Sequence, residues 1–109
     1  MTATELLMIV VDSDRVAHEQ FLDMALAEMH RGERCDQVRS GTWTVEQAQR
    51  FLLAEAMKDH VELLIDDVWP DCADPQRAIV TTLVRVGFEE LDWHEAADHY
   101  IAKVHELSA

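Results

Sequence analysis

Apolar residues recur at helical spacing through most of this chain, and the longest such pattern runs from residue 44 to residue 68. One face of it carries apolar residues at successive spacings of four, three and four: Met57, Val61, Leu64 and Val68. That spacing is typical of an amphipathic helix. Thr44 and Gln47 fit a capping box at its start, and Pro70 discourages its continuation past Trp69. The pattern predicts a helix over 44–68.

A second helical pattern closes the chain over 93–107. On a helical wheel its apolar residues fill one continuous arc: Trp93, Ala96, Ala97, Tyr100, Ile101, Val104 and Leu107. Asp92 is a good N-cap, with Glu95 at the N3 position. We expect this helix to bury its apolar arc.

The N-terminal third also begins with a capping-box pattern, from Thr2 to Glu5. Farther along, apolar residues again recur at helical spacing: Phe21, Leu22, Ala25, Leu26 and Met29. Gly32 follows as a stop signal. The run Leu6–Val11 either begins this helix or forms a short buried strand before "DSD". We favour the helix, because a strand would have no good pairing partner.

The segment 74–87 has end signals for a short helix, with Asp74 as N-cap, Pro75 at the first helical position and Gly87 after the last turn. Its interior is rich in β-branched residues, so a strand over 76–86 is the alternative. The sequence predicts an all-α fold: a compact bundle of four to five helices, with or without one short N-terminal strand, in a single domain over 1–109. The three Gly and two Pro are too few for the many turns of an all-β fold.

The net charge is −13, from 22 acidic and nine basic residues. Such acidity argues against direct binding to nucleic acids or to anionic membranes. The N-terminal apolar run is too short to span a bilayer and lacks the basic region of a signal peptide. Two distant Cys, Cys35 and Cys72, are interpreted as free thiols in a reducing cytoplasm, with a single bridge as the alternative.

The acidic residues are concentrated in two segments without Lys or Arg, one from Asp59 to Asp74 and the other from Glu89 to Asp98. A carboxylate row with spacings of four, three and four begins just before the first segment, continues into it and lies opposite the apolar face of the helix: Glu55, Asp59, Glu62 and Asp66. Only Lys58 lies beside it in sequence. Neighbours in such a row are about 5–6 Å apart, comparable with the phosphates of a nucleic-acid strand. The residues predicted to bind a basic protein partner are Glu55, Asp59, Glu62, Asp66, Asp67, Asp71, Glu89 and Glu90. The alternative is an ordinary polar face, or the general acidity of a high-salt host.

The stretch "LDWHEAADHY" concentrates His and carboxylates, with His94/Asp98 and Glu95/His99 each one helical turn apart. Each pair offers only two metal ligands, and the chain lacks the Glu-x-x-His spacing of carboxylate-bridged helical bundles. We interpret the stretch as a capped helix start with solvated His paired to carboxylates, and Trp93 and Tyr100 as core or interface anchors. Catalytic motifs are missing from the sequence. We expect no enzymatic activity, no catalytic residue, no cofactor and no metal.

Three functional hypotheses follow. The first is a small acidic, non-enzymatic interaction module that inhibits or regulates a nucleic-acid-handling protein by binding its basic surface. Anti-restriction and anti-CRISPR proteins are analogous in size and charge alone. The second is a metal-binding helical bundle, or enzyme, that takes His, Asp and Glu from several helices. The third is a homodimeric scaffold in which Leu6–Val11 pairs with its copy.

Overall fold

The computed structural model describes residues 1–68 and 75–108. Within these ranges the chain forms helices and no strand. The helices are α1 (Ala3–Ser13), α2 (Arg15–Gly32), the one-turn α3 (Asp36–Arg39), α4 (Val45–Val68), α5 (Pro75–Glu89) and α6 (Trp93–Ser108). The predicted all-α bundle is therefore confirmed, with five longer helices and one short one in the described ranges.

The N-terminal unit is two helices, because the chain breaks at Asp14. Asp14 has an extended backbone, and its side chain accepts a 3.0 Å hydrogen bond from the backbone N–H of Ala17, which caps the start of α2. Its own N–H donates to the carbonyl of Val11 and closes α1. The Leu6–Val11 segment lies inside α1, so the strand alternative for it is wrong.

The capping signals read from the sequence form the expected hydrogen bonds. At α1 the Thr2 hydroxyl accepts from the N–H of Glu5, and the Glu5 carboxylate accepts from the N–H of Thr2. At α4 the same reciprocal pair joins Thr44 and Gln47. Each box satisfies N–H groups that the first helical turn leaves without a partner.

Helix α5 begins at Pro75, as predicted, and the strand alternative for 76–86 is wrong. It does not stop before Gly87, however, but continues through it to Glu89. Gly costs a helix only about 1 kcal/mol relative to Ala, which the other interactions of this segment offset. The proposed cap Asp74 lies outside the described residues.

The core forms where α2, α4 and α6 pack together. Ion pairing of Arg50 with Asp98 joins the first half of α4 to α6, and the rings of Phe21 and Tyr100 meet edge to face with centroids 5.5 Å apart. The buried side chains include Phe21, Ala25, Leu53, Met57, Ala97 and Tyr100. Helix α1 adds Met8 and Val11 to this cluster.

The predicted apolar faces are buried only along part of their length. Leu26, Leu64 and Leu107 belong to those faces but are 53%, 47% and 74% exposed. Leu64 and Leu107 lie toward the C-terminal ends of their helices, whereas Leu26 lies between the buried Ala25 and Met29 of α2. Trp93 is only partly buried, and its ring packs against that of Phe88 with a centroid distance of 5.5 Å.

Among the side chains of helix α5 that the structure describes, most of the aliphatic ones lie in solvent. In its C-terminal half, Phe88 is buried and the Arg85 guanidinium donates to the Asp66 carboxylate of α4. These contacts place the C-terminal half of α5 beside the last turns of α4.

Candidate functional site

The carboxylate row of α4 lies in solvent. Every predicted partner-binding residue that the structure describes is exposed: Glu55, Asp59, Glu62, Asp66, Asp67, Glu89 and Glu90. We call these seven residues the acidic surface. The eighth, Asp71, lies outside the described residues.

The fold brings parts of the acidic surface together from distant positions in the sequence. Glu55 of α4 and Glu90, in the turn between α5 and α6, line one open cleft of about 440 Å³. Lys58, Asp92 and His94 line the same cleft. The start of the carboxylate row therefore meets the second acidic segment in space, and Lys58 lies among these lining groups.

One cation near the row was not foreseen. Arg85 of α5 pairs with Asp66, so the fold adds a second cation to Lys58, the one that lies beside the row in sequence. The pair joins two elements that are 19 residues apart in sequence, a distance that helical spacing alone does not reveal. Both side chains are about half exposed, and such surface pairs contribute about 0–1 kcal/mol.

The acidic surface also gathers carboxylates at helix C-termini, where the helix dipole is already negative. Asp66 and Asp67 lie in the last turn of α4, Glu89 ends α5 and Glu90 follows it, while neither last turn contains a basic residue. A negative charge at this end costs a helix, since cations are the groups that stabilise it. The arrangement places negative charge at the C-terminal ends of both helices.

A second polar cluster, which sequence analysis did not predict, is centred on Asp12. The Asp12 carboxylate accepts a hydrogen bond from the Tyr100 hydroxyl at 2.6 Å, and lies 2.8 Å from His99 Nε2 and 3.1 Å from His18 Nδ1. An ionised carboxylate only accepts, so both ring nitrogens donate. Lys103 Nζ lies 3.8 Å away. The cluster therefore ties α1 to α2 and α6.

The electrostatics of the cluster favour the ionised form of Asp12. Burial acts to raise the pKa of the Asp12 carboxyl, but hydrogen bonds from Tyr100, His99 and His18, with the charge of His99, outweigh it and hold the pKa below its ordinary value. Burial, the hydrogen bond to Asp12 and the charge of Asp12 raise the pKa of the Tyr100 hydroxyl above its usual range. Tyr100 therefore stays protonated and Asp12 charged at neutral pH.

The His and carboxylates of the "LDWHEAADHY" stretch find partners outside their own helix. His99 contacts Asp12 of α1 rather than Glu95, and Asp98 pairs with Arg50 of α4 at 2.8 Å rather than with His94. The predicted pairing of His99 with a carboxylate holds, but with a carboxylate 87 residues away. Within 1–68 and 75–108, no three His, Cys, Asp or Glu side chains are arranged to hold a metal ion.

The fold and the acidic surface together define an all-α domain with a highly charged outer face and a partly buried polar cluster centred on the Asp12 carboxylate. Comparison with protein-family models, with curated proteins and with solved structures finds no match for this chain. Among the helices that the structure describes, none is long and apolar enough to cross a bilayer. Cys35 is a free, partly buried thiol, and Cys72 lies outside the described residues.

Proposed function

We propose that this chain is a non-enzymatic interaction module that binds a basic protein surface through its acidic surface. The observation that carries the proposal is the exposure of every described carboxylate in the set, together with the meeting of Glu55 and Glu90 in one cleft. Exposed carboxylates from two segments of the chain form one negative field. Such a field steers a partner of opposite charge and accelerates association.

The placement of acidic residues at the ends of α4 and α5 supports a functional origin for this charge. Acidity that serves only solubility is compatible with Lys and Arg in the last helical turns, where they would stabilise the helices. Both helices instead carry carboxylates there. Retention of a locally unfavourable arrangement is typical of a functional site.

The partner that fits this surface is a nucleic-acid-handling protein. Proteins that bind phosphate backbones present Lys and Arg along a groove, and the α4 row offers carboxylates at about 5–6 Å intervals to the same cations. Occupation of that groove would exclude the nucleic acid, so the module acts as an inhibitor or regulator, as anti-restriction and anti-CRISPR proteins do. The free thiol of Cys35 agrees with a cytoplasmic location.

Charge reversal of the row tests this function. We expect Asp59→Lys with Glu62→Lys to weaken binding to the partner more than about tenfold, because like charges would then face each other. Both positions are exposed, so the melting temperature should be unchanged. The measurement is surface plasmon resonance against purified restriction enzymes and Cas effector complexes over a range of salt, with competing DNA.

A charge-matched control separates the row from net charge. Asp23→Lys with Glu106→Lys makes the same change in net charge at exposed positions of α2 and α6, and should leave binding close to that of the wild type. Wild-type affinity should fall as salt rises, since exposed charges are screened beyond about 8–10 Å. Affinity that is insensitive to salt and to the Asp59/Glu62 reversal would show that the row is only a solvated face.

A homodimer is the second candidate, because α1 exposes an aliphatic face. Leu6, Ile9 and Val10 lie at helical spacing on the outside of α1 and are each at least half exposed. Glu5 is the acidic residue of its first turn, and Asp12 is turned into the polar cluster. Two copies could therefore pack α1 on α1 with less repulsion than across the acidic surface.

Light scattering tests the dimer. If α1 pairs with its copy, the wild type should have twice the 12.5 kDa mass of one chain, and Ile9→Lys should halve that mass by placing a charge in the contact. Leu107→Lys is the control, since Leu107 is exposed at the far end of α6. A monomeric wild type at high protein concentration excludes this candidate.

A further inference from the structure

Helix α5 carries a stripe of aliphatic side chains on a face that no other helix covers. Ile79, Leu83 and Val86 recur at spacings of four and three and are 63%, 66% and 53% exposed. We call these three residues the α5 stripe. Phe88, on the opposite side of the helix, is buried beside Trp93. The α5 stripe is thus an apolar face exposed to solvent, although the opposite face of the same helix buries Phe88.

The surroundings of the α5 stripe are acidic. Glu90 lies one turn beyond Val86, and Glu89 flanks the same end of the helix. The ion pair between Arg85 and Asp66 places the α4 row next to this half of α5. Helical spacing places Arg85 about 120° around α5 from the stripe, so the α4 row lies to one side of the helix, while Glu89 and Glu90 lie at the C-terminal end of the stripe itself.

The charge beside the stripe favours a basic partner over a second copy of the chain. A second copy of the chain would bring its own Glu89 and Glu90 to the same apolar contact, where the nearby Arg85 is already paired with Asp66. Like charges brought together at an interface oppose association. A partner with aliphatic residues on one face and Lys or Arg on its flanks would satisfy both parts of the surface.

We propose that the α5 stripe and the acidic surface together dock an amphipathic basic helix of the partner protein. The helix lays aliphatic residues at i, i+3 or i+4, and i+7 along Ile79, Leu83 and Val86, while its cations reach Glu89 and Glu90 at the end of the stripe. This inference rests on the proposed function and specifies the form of the basic partner. The aliphatic contacts supply the affinity, and the charges supply orientation and association rate.

The test uses defined peptides rather than an unidentified partner. The probe is a labelled Leu/Lys/Ala helix of about 18 residues, long enough to fold in water, with its Leu on one face. A second peptide has the same composition in scrambled order, so that it keeps the charge and loses the apolar face. Fluorescence anisotropy against the full chain should show binding of the first peptide that is about tenfold or more tighter than binding of the second.

Variants of the chain locate the contact. Ile79→Ser with Leu83→Ser should weaken binding of the amphipathic peptide by about tenfold or more, because two aliphatic contacts are lost. Leu107→Ser, at a similarly exposed Leu of α6, should leave it unchanged. Circular dichroism of each variant checks that helix content is retained.

The outcomes separate this inference from the function on which it rests. If both peptides bind equally, and only the Asp59/Glu62 reversal weakens them, the stripe is not a docking site but the basic-partner function stands. If the wild type is a dimer that Ile79→Ser with Leu83→Ser converts to monomer, a second copy covers the stripe and the inference is wrong. If neither peptide binds at low salt, both the inference and the proposed function are contradicted.

Discussion

Replacement of Asp12 by Ala should lower the free energy of unfolding by about 2–3 kcal/mol at neutral pH. The Tyr100 side chain is fully buried, and Asp12 accepts the hydrogen bond from its hydroxyl. Loss of the acceptor leaves a buried donor unsatisfied, which costs about 1–3 kcal/mol, and hydrogen bonds to a charged group are among the stronger ones. The contacts of His18 and His99 with the carboxylate disappear as well. Urea titration of both proteins measures the difference.

The effect of Asp12 should also depend on pH. Its pKa in the folded protein lies below the ordinary value of 3.8, so the ionised carboxylate stabilises the fold. That contribution is fully present above about pH 3.8, and is lost as the pH falls through the lower pKa of the folded state. The gap in stability between wild type and Asp12→Ala should therefore narrow in acid.

Two controls isolate the contact between Asp12 and Tyr100. Asp23→Ala removes an exposed carboxylate and should change stability by less than about 0.5 kcal/mol. Tyr100→Phe removes only the donor, and the Asp12→Ala/Tyr100→Phe double variant should lose less stability than the sum of the single changes. Strict additivity in this cycle would mean that the hydrogen bond contributes nothing.

Replacement of Gly32 by Ala should destabilise the protein by about 1–3 kcal/mol, as overpacking in a tight contact does. A Cβ atom at this position would lie 2.7 Å from Gln49 Cγ and 2.9 Å from the Gln49 backbone nitrogen. Gln49 is itself held in place, since its side-chain amide donates a buried 3.1 Å hydrogen bond to the carbonyl of Met29. The backbones of α2 and α4 would have to separate to admit the methyl group.

The matched control is the same substitution at Gly87. A Cβ there would meet nothing within 4 Å, and Gly87 lies inside α5. Gly87→Ala should therefore stabilise by about 0.4–1 kcal/mol, through helix propensity and reduced freedom of the unfolded chain. Thermal denaturation of the two variants should give shifts of opposite sign, and a stabilising Gly32→Ala would contradict the close approach of α2 and α4.

The parts of the fold that local signals specify could be predicted from the sequence. Helices were predicted over 44–68 and 93–107, and they span Val45–Val68 and Trp93–Ser108. Capping residues and apolar periodicity act over a few residues, so each can be recognised within a single segment of the sequence. The break between α1 and α2 at Asp14 was harder to predict, because an Asp within "DSD" fits either a helix end or a polar stretch inside one long helix.

The Asp12 cluster could not be predicted, because its members come from three helices. His99 and Tyr100 meet an Asp that lies 87 and 88 residues earlier, and no spacing rule connects them. For the acidic surface, the helical spacing of the carboxylates was enough to predict the row along α4. The proximity of Glu90 and the ion pair with Arg85 could be seen only from the position of α5 in the fold. The same limit applies to the α5 stripe, since its spacing is visible in the sequence but its exposure is not.

The turn between α5 and α6 is attached to α1 as well as to the acidic cleft. The hydroxyl of the buried Thr4 accepts a 2.8 Å hydrogen bond from the backbone N–H of Asp92, and the Asp92 side chain in turn caps α6 at Glu95. Glu90 lies two residues before this anchor. We therefore expect that a partner which binds Glu90 and displaces the Asp92 peptide would also loosen the first turn of α1. Because thermodynamic linkage is reciprocal, a substitution that loosens α1 would then change the affinity for such a partner.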